Sequence, residues 1–146
     1  PWATMLVQDL DGVRLFNEEK LWPNEQFASV LLIARTNYIE NNPEIIHNWI
    51  KSHEETVLWI NSNPDKSKSM FSDFLLGYMG KSLPPEIINE SFSNLTITAD
   101  PIKNSVFTFA ERADSLGYLG RSGYNLDGIF YNVDLKADLE LTQLNG

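Results

Sequence analysis

Hydrophobic positions along the chain change period several times, and each change marks an element. The apolar run Phe27-Ala-Ser-Val-Leu-Leu-Ile-Ala34 has the length and β-branched content of a buried strand. It gives way at Arg35-Thr36-Asn37 to a short helical turn, and at Asn42-Pro43 to a long amphipathic helix. In that helix Ile46, Trp49, Ile50, His53, Val57 and Ile60 recur at three- and four-residue steps and form one face. Pro43 suits the first helical position, Asn42 can cap it, and Glu44 complements the positive helix end. Asn63-Pro64 stops the helix and Asp65 can open the next. Met70, Phe71, Phe74, Leu75 and Tyr78 supply that helix's apolar side, and Gly80 is its C-terminal stop. Leu83-Pro84-Pro85 begins a further helix with Ile87, Ile88 and Phe92 turned inward. Asp100-Pro101 begins another, in which Ile102, Val106, Phe109, Ala110 and Ala113 form the buried stripe before Gly117 ends it.

The remaining segments are shorter. Trp2 to Leu10 fits a helix or a strand, Asp11-Gly12 is a turn signal, and Val13-Arg-Leu-Phe16 reads as a strand of period two. Asn17 to Asn24 is a polar loop, and Leu95-Thr-Ile-Thr98 a short strand or extended link. Gly120, Gly123 and Gly128 mark an irregular stretch from Leu119 to Phe130, and the tail from Asp134 alternates acidic residues and leucines as a frayed end would. A buried strand feeding helices predicts an α/β protein, helix-rich with a few strands.

Composition narrows the function. A chain of 146 residues with 42% hydrophobic positions and four tryptophans is that of one globular domain, not of a disordered segment. Its net charge of −9 repels phosphate backbones, so nucleic acid is not an expected partner. A small anion is still an admissible ligand, because a buried site is governed by local dipoles. With no cysteine, neither a disulfide framework nor a thiolate metal site can form. No run approaches the roughly 20 apolar residues that span a bilayer. The chain opens on Pro1-Trp2-Ala3-Thr4 without an initiator methionine, which predicts that it is cut from a longer protein.

The strongest enzyme-like signal is Asp9-Leu10-Asp11-Gly12-Val13 after the apolar Met5-Leu6-Val7. Two aspartates two apart at the end of a strand resemble the first motif of haloacid dehalogenase-type phosphotransferases. There the first carboxylate is the nucleophile, the second the acid/base, and magnesium binds between them. An acidic turn has the same letters, and no later strand with an acidic cluster completes the set. Asn125-Leu126-Asp127-Gly128 lacks the ligands and the glutamate of a calcium loop and reads as a turn. His47 and His53, six apart on one helix, do not share a ligand face; His53 lies in the apolar stripe and His47 on the solvent side. No nucleophile elbow is present, and Gly120-Arg121-Ser122-Gly123 lacks the strand and helix that a phosphate-cradling loop needs.

Several segments, taken in order, resemble one family. Pro1-Trp2-Ala3-Thr4 is similar to the end of the Glu-Pro-Trp-Ala motif of nitrate/sulfonate/taurine-type solute-binding proteins of ABC importers. Asn42-Pro43-Glu44-Ile45, His53-Glu54-Glu55-Thr56 and Trp59-Ile60-Asn61-Ser62-Asn63-Pro64 resemble successive parts of that family's helix after its apolar strand. Leu116 to Phe130 resembles the C-terminal segment of its aliphatic-sulfonate branch. The resemblance spans nearly the whole chain. It implies the C-terminal part of a two-lobed type II periplasmic binding fold. Residues 1–30 would end the second lobe with the crossover strand, and residues 31–146 would belong to the first lobe.

The function so implied is capture without catalysis: a small anion such as an aliphatic sulfonate, taurine or nitrate, held in an interlobe cleft and delivered to a membrane permease. No cofactor or metal is implied, and the setting is extracytoplasmic, in the periplasm or on a surface lipoprotein. Two positions carry over as ligand-binding, Trp2 in the matched motif and Ser29 on the crossover strand. The glutamate expected before Pro1 is missing from this sequence. The alternatives are a magnesium-dependent phosphotransferase using Asp9 and Asp11, and a helical interaction domain with no small ligand.

Overall fold

Where the sequence carries local helix signals, the chain obeys them. The computed structural model describes residues 1–120 and 123–131. Its α-helices are α1 (Trp2–Asp9), α2 (Thr36–Asn41), α3 (Pro43–Ser62), α4 (Pro64–Met79), α5 (Pro85–Ser93) and α6 (Lys103–Ser115), with 3-10 turns at Glu18–Leu21 and Pro23–Glu25. Prolines at the starts of α3, α4 and α5 use the position where the missing N–H costs nothing. Gly80 (φ 71) closes α4 by donating its N–H to the Leu76 carbonyl at 2.9 Å. Gly117 (φ 78) closes α6, where its N–H bonds Asp114 at 2.8 Å and that of Tyr118 bonds Ala113 at 2.9 Å, a Schellman pair. The last helix starts at Lys103, two residues later than Asp100-Pro101 predicts. Ile102 stands at its N-cap with φ 49, a strained value for a β-branched residue.

The α/β prediction is overturned. Helices make up 61% of the described residues and there is no strand among them, which makes this a small all-α fold and not part of a two-lobed α/β clamp. Phe27 to Ala34 runs without helix or turn, but it is neither paired nor buried: Val30 is 86% and Ile33 94% exposed. Val13 to Phe16 and Leu95 to Thr98 are likewise unpaired. The reason is the difference between local and non-local bonding. A helix satisfies its backbone groups within one segment, whereas a strand needs a neighbour to complete a ladder. Composition and period identify a strand-like segment without supplying that neighbour.

The chain divides into two compact units, Pro1–Lys20 with His53–Asp100, and Leu21–Ser52 with the chain from Pro101 onward. In the first, α1 and α4 pack on α5. Ile87 (1% exposed) and Ile88 are its buried anchors, with Thr4 of α1 and Val57 of α3 also enclosed. Burying an isoleucine fully contributes about 1.5–3 kcal/mol, so the α5 pair is a large share of this small core. Phe71 meets Phe92 edge-on at 5.7 Å. Ser67 is buried and returns its hydroxyl to the Asn63 carbonyl at 2.9 Å. Of the predicted α3 face, Val57 is buried, Ile46, Ile50, His53 and Ile60 are half-buried, and Trp49 is exposed.

The second unit is built on α6 and the 3-10 turn at Pro23–Glu25. Trp22 is its buried centre, 4.5 Å from the Phe27 ring and 6.1 Å from that of Phe109. Ala110 and Ser105 are buried on α6, while Phe109, placed in the buried stripe by its spacing, is 58% exposed. No helix among the described residues is long and apolar enough to cross a membrane. The tail from Asp134, expected to fray, lies outside the described residues.

Candidate functional site

Trp2 is the first residue of α1 and 73% exposed, so its ring is open to solvent and not part of the core. Ser29 lies exposed on the extended segment. Trp2 belongs to the first unit and Ser29 to the second. The segment bearing Ser29 is fixed near its start: the Ala28 N–H donates to Ser105 Oγ at 3.1 Å, and the same hydroxyl donates to the Ile102 carbonyl at 3.0 Å. Phe27 against Trp22 adds an apolar anchor.

Asp9 is the last residue of α1, at a helix end where the dipole is negative, and not at the end of a strand. Asp11 follows with φ 53. The Gly12 N–H then turns back to the Leu6 carbonyl at 2.8 Å. Asp9-Leu10-Asp11-Gly12 is thus the stop of a helix. No group of three or more His, Asp or Glu side chains among the described residues could hold a metal ion. Asn125 to Gly128 forms an Asx turn, its Asn125 Oδ1 accepting the Asp127 N–H at 2.7 Å. His47 and His53 are both half-buried on α3. Arg121 and Ser122 of the glycine-flanked basic motif lie outside the described residues.

One polar cluster has no counterpart in the sequence reading. Glu90 of α5 accepts from Gln8 Nε2 of α1 at 2.6 Å and from Arg14 Nη2 at 3.3 Å. It ties the first helix and the segment after it to α5. In the sequence Arg14 stands between Val13 and Leu15, but its partner lies 76 residues away and no periodicity points to it. A paired guanidinium is offset by its own carboxylate and offers a weak anion contact.

No family model, no curated protein and no solved structure matches this chain.

Proposed function

We propose that the chain acts in solute capture, as part of the extracytoplasmic binding component of an ABC importer for a small oxyanion of the sulfonate, taurine or nitrate type. One observation carries the reading: the ordered resemblance along the chain, with Pro1 to Thr4 leading, Asn42 to Pro64 in the middle and Leu116 to Phe130 last. The middle segment corresponds to one helix and the start of the next, since α3 runs from Pro43 to Ser62 and α4 begins at Pro64. Trp2 and Ser29, the positions carried over as ligand contacts, are both accessible to a solute. Each suits a different contact taken by itself: an exposed indole can cover an alkyl chain, and a serine hydroxyl can donate to an oxyanion. The anion is bound, released to a permease and not altered.

The test is thermal unfolding in the presence of taurine, ethanesulfonate and nitrate. Ligand at about 100 times Kd adds roughly 2.7 kcal/mol to the folded state and raises Tm by several degrees. No shift with any of them at millimolar concentration contradicts the proposal.

A further inference from the structure

A folded chain is cut most readily where its backbone is exposed and can lie straight across an endopeptidase cleft without local unfolding. The segment from Gln26 to Arg35 meets both conditions. It contains no helix, turn or bend, and its ends lie in the β region, Gln26 at φ −122 and ψ 133, Arg35 at φ −71 and ψ 135. Every residue from Ser29 to Arg35 is exposed. Among the described residues, no hydrogen bond involves any position from Ser29 to Ala34. The borders are held. Before the segment, Phe27 rests on Trp22 and the Ala28 N–H donates to Ser105 Oγ. After it, the Arg35 carbonyl accepts from Tyr38 and Ile39 at the start of α2. The other unpaired stretches are more restrained. Val13 to Phe16 is shorter, with Arg14 tied to Glu90, and in Leu95 to Thr98 the Ile97 carbonyl accepts from Asn61 Nδ2 at 2.9 Å.

We infer that the folded chain is a substrate for an endopeptidase of aliphatic specificity, which hydrolyses one bond between Val30 and Ile33. Val30, Leu31, Leu32 and Ile33 set four branched aliphatic side chains in a row, all exposed, with Val30 at 86% and Ile33 at 94%. An apolar specificity pocket can therefore take any of them without drawing a side chain out of the core. Water adds across the amide: its oxygen joins the carbonyl carbon, the C–N bond breaks, and the nitrogen takes the proton as a new amino terminus. The Arg35–Thr36 bond is a poorer target for a basic-specific enzyme, because the Arg35 carbonyl is already bonded at the start of α2. The cut leaves both flanking parts anchored. Ahead of it, α1 stays packed on α5, with Thr4 buried and Gln8 bonded to Glu90. Trp22 stays buried between Phe109 and Phe27, with the Arg112 guanidinium over its ring. The product is a folded protein in two pieces, joined without a covalent bond. This does not depend on the solute reading.

The test is limited digestion with thermolysin, which cleaves before large aliphatic residues and tolerates urea. By mass spectrometry, the first cut within residues 1–120 should fall at Val30–Leu31, Leu31–Leu32 or Leu32–Ile33. Its rate, divided by that of a short peptide control, should stay within about twofold from zero urea to the foot of the unfolding transition. Cleavage that waits for unfolding would instead climb steeply with urea. A variant carrying V30S, L31S, L32S and I33S should keep the far-UV helical signal and lose this cut by about tenfold or more, because serine leaves the apolar pocket unfilled. The two pieces should elute together on gel filtration and separate in denaturant. A first cut elsewhere in residues 1–120, a rate that climbs with urea, an undiminished cut in the serine variant, or pieces that part without denaturant overturns the proposal.

Discussion

The Arg112 guanidinium lies 4.5 Å from the centre of the Trp22 ring, and its Nη2 donates to the Leu21 carbonyl at 2.6 Å. One side chain of α6 thus covers the face of the buried indole and secures the backbone next to it. Trp22 is also the ring on which Phe27 rests, so this contact reaches the start of the extended segment.

Arg112→Ala should lower stability by about 1–2 kcal/mol, the sum of a cation–π contact and a charged hydrogen bond. Arg112→Lys should recover only part of it, because an ammonium does not stack flat on the ring. Urea unfolding followed by tryptophan fluorescence measures both.

Two glycines should respond to alanine with opposite signs. At Gly12 an added Cβ meets the Leu6 carbonyl oxygen at 2.6 Å, and G12A should destabilise by about 1–3 kcal/mol. Gly77 lies inside α4 with nothing within 4 Å of an added Cβ, and G77A should stabilise by about 0.5–1 kcal/mol through helix propensity. Tm values of the two variants decide the matter.

Burial separates isoleucines that look alike in the sequence. Ile87→Ala should cost about 2–5 kcal/mol, as deletion of a fully buried aliphatic chain does. Ile33→Ala, at 94% exposure, should leave stability unchanged within about 0.5 kcal/mol. Chemical denaturation gives the comparison.

The Arg14–Glu90 pair at 3.3 Å has both side chains about a third exposed. Arg14→Met should cost at most about 1 kcal/mol, and the loss should shrink at 1 M salt. Glu90→Ala should cost more, because it also releases Gln8.

The helices were legible because their information is local. Pro43 and Pro85 mark starts, Asn63-Pro64 marks the break between α3 and α4, Gly80 and Gly117 mark ends, and the three- and four-residue spacing in α3 and α5 marks a face. That no sheet forms among the described residues was not legible. Phe27 to Ala34 has a strand's composition, but ladder partners are set by the rest of a fold, and Val13 to Phe16 and Leu95 to Thr98 do not pair with it. The two aspartates were ambiguous for a related reason. Asp9 and Asp11 match a strand-end motif letter for letter, whereas Met5 to Val7 before them belong to helix α1, which the period left undecided. The Glu90 cluster and the Arg112 contact needed distances between remote residues. At the candidate site, Trp2 and Ser29 come from the family resemblance, and their exposure is what the structure adds.

The central claim, that this chain binds a small sulfonate-type anion without transforming it, is tested most directly by isothermal titration with ethanesulfonate, with the ligand recovered afterwards for NMR. The account predicts saturable binding, weakened by Trp2→Ala or by Ser29→Ala, and a ligand returned unchanged. No saturable heat at millimolar ligand, binding indifferent to both substitutions, or a chemically altered ligand would contradict it.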